Sequence, residues 1–223
     1  MRSEARCVGV AGLALCLSAA GALAADGTGA YAGRPYGGHA QVIPGRVQAE
    51  LYDSGGPEVA YHDSDPGNNG SGTLNKGDTE LDQFRKDEGV DISYTKQGID
   101  ATLEGQQEKV GELYLGWTAP GEWVQYTVDV QQTGTYRVRA HLSSNNANAE
   151  ISLAVDGVDL TGPIVIVTTG HWHKWRIDER LAEVKLERGL HVLRLNILKE
   201  GNMNIDYLEF VPASEPVAAP AAH

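Results

Sequence analysis

Between Glu122 and Val130 the chain alternates: Val124, Tyr126, Val128 and Val130 are apolar, and Gln125, Thr127 and Asp129 between them are polar. A period of two puts neighbouring side chains on opposite faces of an extended backbone, so the stretch reads as a strand with one buried and one wet face. Upstream, Gly111 to Trp117 reads as a second strand. Thr118-Ala-Pro-Gly121 joins the two as a turn, in which proline presets φ and glycine takes the positive φ that a Cβ resists. Trp117 stands where strand gives way to loop, a position from which an indole either lids the core or faces outward.

The same reading places strands at Arg46–Tyr52, Gly89–Ser93, Tyr136–Ser143, Glu150–Val155, Ile164–Val167, Trp172–Ile177, Ala182–Leu186, His191–Leu198 and Met203–Val211. Asp156-Gly157 is a two-residue hairpin dipeptide, and Arg188-Gly189 makes another turn. No apolar period of 3.6 runs long enough for a domain helix. Short strands at near-regular spacing, with turn residues between them, imply an all-β chain folded as an antiparallel β-sandwich.

The ends read differently. Met1 to Ala25 has a short polar and basic start, an apolar run from Cys7 to Leu23 and the small-x-small triplet Ala22-Leu23-Ala24, the pattern of a cleaved export leader rather than a membrane anchor. Residues 1–25 are therefore expected to be removed from a secreted or periplasmic product. Both cysteines, Cys7 and Cys16, fall in that leader, so neither a disulfide framework nor a thiol site is expected in the mature chain. Residues 26–45, rich in glycine, read as a linker, 46–212 as the folded unit, and 213–223 as a disordered Pro/Ala tail. A formal net charge of −12 argues against nucleic acid and anionic membrane surfaces as partners, and suits a neutral ligand or carboxylates that hold cations.

From Asp53 to Glu88 no strand pattern is visible, and the stretch is dense in oxygen donors and glycine. Asp63, Asp65, Asn68 and Asn69 either wrap a calcium ion or order the loop through Asx turns. Catalytic patterns are missing: the seven histidines show no His-Glu-x-x-His spacing, and there is neither a Gly-x-Ser-x-Gly turn nor a phosphate-cradling glycine loop. Nothing singles out a glycosidase carboxylate pair, and Glu122 and Asp129 fit polar strand positions. The chain is expected not to be an enzyme.

An ordered set of segments resembles the family 6 carbohydrate-binding modules. The set comprises Val47-Gln-Ala-Glu-Leu-Tyr52, Gly56 to Asp63, Glu88-Gly-Val-Asp-Ile92, Leu115 to Tyr126, Gly134-Thr-Tyr-Arg-Val138, Thr169 to Trp175, Leu186 to Leu195 and Asn204-Ile-Asp-Tyr207. The resemblance implies a galactose-binding-like jelly roll that holds a polysaccharide or oligosaccharide between two loop aromatics, with an asparagine fixing the hydroxyls. The matching positions are Trp117, Trp172 and Asn204; Trp123 and Trp175, inside strands, fit packing instead. Many relatives carry a glutamate in the same cleft, and here Tyr61, His62 or Asp63 is expected in its place. The stretch from Gly70 to Gly111 is longer than usual and is expected to crowd or extend the cleft.

The resemblance also implies a structural calcium ion. Gln48 and Glu50 would share one face of the first strand, with Asp206 beside them if the terminal strands pair. The expected protein is thus a secreted, monomeric, non-catalytic carbohydrate binder. The alternative is an exported structural or adhesion module with calcium-ordered loops that binds a protein partner.

Overall fold

A computed structural model describes residues 31–216. The expected leader with its two cysteines, and the tail beyond residue 216, lie outside the described residues. Fourteen strands follow in order: β1 Gln41–Ile43, β2 Gly45–Gln48, β3 Tyr61–His62, β4 Ile92–Tyr94, β5 Ala101–Thr102, β6 Leu113–Leu115, β7 Trp123–Val130, β8 Gly134–Ser144, β9 Glu150–Val155, β10 Val158–Asp159, β11 Ile164–Val165, β12 Lys174–Leu186, β13 Gly189–Lys199 and β14 Met203–Pro212. One helical turn, α1 (Glu80–Gln83), lies between β3 and β4.

The strands form two sheets. One runs β1-β7-β13-β9-β10, with β3 also on β7 and β11 also on β9; the other runs β4-β6-β14-β8-β12-β5, with β2 also on β14. Most pairings are antiparallel, as a chain of short turns dictates, and the architecture is the expected all-β sandwich of the jelly-roll type. The apolar alternation fixes the faces. Val124, Tyr126, Val128 and Val130 of β7 are buried with Ile151, Leu153, Leu193 and Leu195 of the same sheet against Val138, Ala140, Leu142, Leu208 and Phe210 of the other.

Turn chemistry holds where the sequence placed it. Glu122 N donates to Ala119 O (3.2 Å) across Pro120-Gly121, with Gly121 at φ +97°. Asp156 and Gly157, at φ +50° and +81°, join β9 to β10 in the doubly left-handed conformation that hairpin twist favours. The separate strands expected at 172–177 and 182–186 are one strand, β12, carrying an irregularity in register between Asp178 and Ala182.

One expectation needs correction. The segment taken for a linker is part of the sandwich from residue 31 on. Tyr31 Oη donates to Asp53 (3.1 Å), Arg34 and Ser54 exchange backbone hydrogen bonds, β1 pairs in parallel with β7, and Ile43 is fully buried. The loop from Asp53 to Glu88 is ordered, in part through the Asx turns that the sequence offered. Asn68 Oδ1 accepts from the amides of Gly70, Ser71 and Ile92, Thr79 and Asp82 form a capping box at α1, and Arg85 donates to the carbonyls of Tyr52 and Asp53.

If residues 41–43 belong to the core, Ile43→Ala should lower the unfolding free energy by about 2–5 kcal/mol, read as a lower urea midpoint. A midpoint that does not move would return this segment to a linker.

Candidate functional site

Loops gathered at one end of the sandwich enclose a cleft of about 260 Å³. Trp117 comes from the β6–β7 connection, Trp172 and His173 from the segment before β12, and Asn202 and Asn204 from the start of β14. Leu74, Lys96 and Tyr114 complete the lining. Both indoles are 38% exposed, the two tryptophans of the chain most open to solvent among those expected to act at a site.

Backbone geometry aims each of them. Trp117 lies at φ +47°, a left-handed conformation that costs a bulky residue on the order of 1–3 kcal/mol and persists only where its surroundings impose it. They do so here through the next residue. Thr118 Oγ1 accepts from Met203 N (3.2 Å), and the Thr118 carbonyl accepts from Asn202 N. Gly201 passes so close to that carbonyl that a Cβ would stand 2.1 Å from it, which requires glycine. On the far side Asn146 Nδ2 donates to the carbonyls of Glu200 (3.0 Å) and Gly201 (3.2 Å).

Asn204 is buried and ties the second indole in place. Its Nδ2 donates to Trp172 O (2.7 Å) and Ser143 Oγ (3.3 Å), which leaves Oδ1 as the acceptor, 3.0 Å from where a Cβ on Gly116 would lie. Beneath His173, Asp100 is 1% exposed; its Oδ1 accepts from His173 Nδ1 (3.0 Å) and Trp175 Nε1 (2.7 Å). Burial alone would push the Asp100 carboxyl up, but these bonds and one from the Lys96 amide hold it below its ordinary value. Trp175 is fully buried, and Trp123 lies under the Arg194 guanidinium, 3.9 Å from its ring centroid.

Of the residues expected at the cleft, Trp117, Trp172 and Asn204 come together, and Tyr61, His62 and Asp63 do not. Tyr61 is buried edge-on to Tyr52 and its hydroxyl accepts from Gly89 N (3.2 Å). His62 pairs with Glu58 (2.5 Å) and stacks on Trp123. The reason is pairing: β3 adds to β7 opposite Val124 and Trp123, and His62 and Asp63 line a separate hollow with Gly116, Thr118 and Glu122, behind the Trp117 loop. The cleft instead draws Leu74 and Lys96 from the long 70–111 stretch. Nothing in their local sequence distinguishes them from solvated loop residues.

The expected cation ligands divide as well. β2 pairs with β14, Gln48 opposite Tyr207, so Asp206 does lie beside the first strand. Glu50 is not on that strand, because Ala49–Leu51 turns into a 3₁₀ segment. Gln48 Oε1 and Glu50 Oε2 are buried without a hydrogen-bond partner, and burial next to Asp206 and Glu112 raises Glu50 to about 8. Asp206 itself accepts from His141 Nδ1 (2.7 Å). Among the described residues no three His, Cys, Asp or Glu side chains form a ready metal cluster. Asn68 is excluded as a ligand of the other loop, since its Oδ1 already accepts three amides.

A family model, the carbohydrate binding module (family 6), matches residues 83–212. No curated protein matches the chain. Among solved structures, a β-1,3-glucan-binding family 6 module from Bacillus halodurans is similar at 16% identity over 77% of this chain and 98% of that one, TM-score 0.49. A Clostridium stercorarium module in complex with cellobiose follows at 17% identity over 79% and 99%, TM-score 0.46. A family 6 module from Clostridium cellulolyticum in complex with xylose has 16% identity over 77% and 99%, TM-score 0.43.

Behind the Trp117 loop, Glu122 accepts from Ser64 Oγ (2.6 Å), Ser64 N (3.1 Å) and Ala119 N (2.6 Å), a tie rather than the open strand position its spacing implied. Burial, with the charges of Glu122 and neighbouring aspartates, raises Asp63 to about 7 and Asp91 to about 6, against 3.8 ordinarily. A folded-state pKa above the unfolded one means protons bind the folded state more tightly. The stabilisation is complete below the unfolded pKa and is lost as pH rises through 6 to 7. Thermal melts should therefore show a higher midpoint at pH 5 than at pH 8, and Asp63→Asn should shrink that difference. An unchanged difference in the variant would discount Asp63.

Proposed function

Since the chain belongs to the family 6 carbohydrate binding modules, we propose that it grips a polysaccharide or oligosaccharide between Trp117 and Trp172, with Asn204 orienting the sugar. The observation that carries this reading is the convergence of two half-open indoles on one cleft whose floor is a buried carboxamide. The C–H faces of a pyranose lie flat on an indole, and removing that area from water is favourable by about 25 cal/mol per Å². Asn204 Oδ1 then accepts from a sugar hydroxyl, which sets the register of the ring without supplying most of the affinity.

The reading is of an exported module that retains its ligand without cleaving it. Among the described residues no Asp or Glu lines the cleft, whereas glycoside hydrolysis ordinarily needs two carboxyls flanking the bond. Export rests on the leader pattern of residues 1–25. Affinity electrophoresis against β-1,3-glucan, cello- and xylo-polymers tests the cleft. Trp117→Ala and Trp172→Ala should each weaken retention roughly tenfold or more, with unfolding little changed. Full retention in both variants would remove the proposal.

For the calcium ion, the residues fit. Hard oxygens suit Ca²⁺, and Gln48 Oε1 and Glu50 Oε2 are buried acceptors that lack donors, beside the Asp206 carboxylate. These three residues would hold the ion, which would neutralise a buried carboxylate and clip β2 to the strand that ends the sandwich. Binding to the folded state alone raises stability by mass action, about 2.7 kcal/mol at a hundredfold excess over Kd. Added Ca²⁺ should thus raise the thermal midpoint in wild type and not in Glu50→Gln. An equal rise in both would place the ion elsewhere.

A further inference from the structure

On the reading of this cleft as a glycan site, we propose that its ligand is an anionic glycan, bearing carboxylate or sulfate ester groups, and that Lys96 is the residue that selects for the charge. Among the described residues the lining contains one permanently charged side chain, Lys96, together with the imidazole of His173, and no carboxylate. That is a local reversal in a chain with 30 acidic and 18 basic residues.

The ammonium is half-buried and its hydrogen-bond partners are neutral. Nζ donates to Ser93 Oγ (3.3 Å) and to the Tyr94 carbonyl (3.3 Å), both at long range, and sits 4.3 Å from the Tyr94 ring centroid. Among the described residues no carboxylate lies within ion-pair distance of it. A lysine ammonium has three donors, so at least one remains for a ligand. Taking such a charge partly out of water without an ion pair is costly, and a bound anion offsets that cost better than a neutral hydroxyl does.

The nearest acids do not occupy this role. Asp100 is buried under the floor with its oxygens engaged by His173 Nδ1, Trp175 Nε1 and the Lys96 amide. Asp82 is taken by Thr79 and Tyr94. Burial lowers the pKa of Lys96, and the attraction of Asp100 and Asp82 works against that lowering. The geometry suits a substituted pyranose: the indoles and Leu74 receive the apolar face, and a long flexible stem delivers the ammonium to a substituent at the ring edge.

The test uses two matched pairs of probes: oligogalacturonate with its carboxyl-reduced product, and a sulfated galactan oligosaccharide with its desulfated product, titrated calorimetrically into the full folded chain. In at least one pair the charged member should bind about tenfold tighter than the neutral one, as a charge-assisted hydrogen bond does. Which pair shows it tells carboxylate from sulfate. Lys96→Gln should erase the preference, so that the charged and neutral members of the pair bind alike, and Lys96→Arg should keep it. A charged member that binds no better than its neutral partner in both pairs overturns the proposal, as does a preference that survives Lys96→Gln or an absence of binding in both pairs. Trp117→Ala separates the two levels. If it leaves all binding intact, the cleft reading fails; if it abolishes binding while Lys96→Gln changes nothing, the charge selection alone fails.

Discussion

The rim of this sandwich is held by one clasp between distant loops. Thr118, directly after Trp117, meets Met203 through its hydroxyl and Asn202 through its carbonyl, while Gly201 allows the two backbones to touch. Two residues on, Asn204 spends its amide hydrogens on Trp172 O and Ser143. The positions of both indoles are therefore set by a continuous run of hydrogen bonds through the start of β14. The left-handed backbone of Trp117 is tolerable because of this clasp: the loop has no freedom to relax into an ordinary conformation without breaking contacts to a core strand. A site built in this way is pre-organised, so little ordering remains to be done when a ligand arrives.

The parts of the fold that could be read from sequence are those governed by local rules. The alternation in β7, β8 and β13, the Pro-Gly turn after Ala119 and the Asp-Gly hairpin each follow from side-chain period or from φ preference at single residues. What escaped depends on partners far along the chain. β1 is three residues long and pairs in parallel at an edge, so its only mark in the sequence is Val-Ile amid glycine and proline. Tyr31 is fixed by Asp53, and Asp53 in turn by Thr127, links that no window around residue 31 contains. Thr79-x-x-Asp82, a capping-box spacing inside the stretch that otherwise looks irregular, is a local signal that the reading of that stretch as a loop does not use. At the cleft, Trp117 was marked by its place at a strand end and, with Trp172, by the family resemblance, whereas Lys96 sits in Tyr-Thr-Lys-Gln-Gly, where any lysine looks solvated.

Two groups of buried acids show why carboxylate density alone is a poor guide to a cation. Around Asp63, Asp91 and Glu122 the oxygens are answered by donors from Ser64, Asp65, Asn69 and Ala119, so the cluster knits loops together. Around Glu50 the accounting differs: two buried acceptors, on Gln48 and Glu50, have no donor at all. An unanswered acceptor costs on the order of 1–3 kcal/mol, more if charged, and the folded chain alone can relieve Glu50 only by protonating it. That relief is what the upward displacement of its pKa to about 8 expresses. A cation held as proposed would supply the alternative, and would do so where β2 meets the last strand, β14.

Charge then acts at two ranges on a ligand approaching the rim. At long range the net charge of −12 repels an anionic polymer, but that field is confined to about 8 Å at physiological ionic strength. Inside the cleft the relevant charge is the half-buried Lys96 ammonium, walled by Leu74 and two indoles, where lower polarity strengthens attraction and salt screens it less. For an anionic ligand held as proposed, the two ranges would separate kinetically: repulsion from the surface would slow encounter, and contact with Lys96 would slow departure. Salt therefore acts mainly on the first step, speeding arrival by screening the surface while leaving the buried contact largely intact. A neutral glycan would meet neither effect, which would make the salt dependence of the association rate a property of the ligand's charge and the slowed departure a property of one lysine.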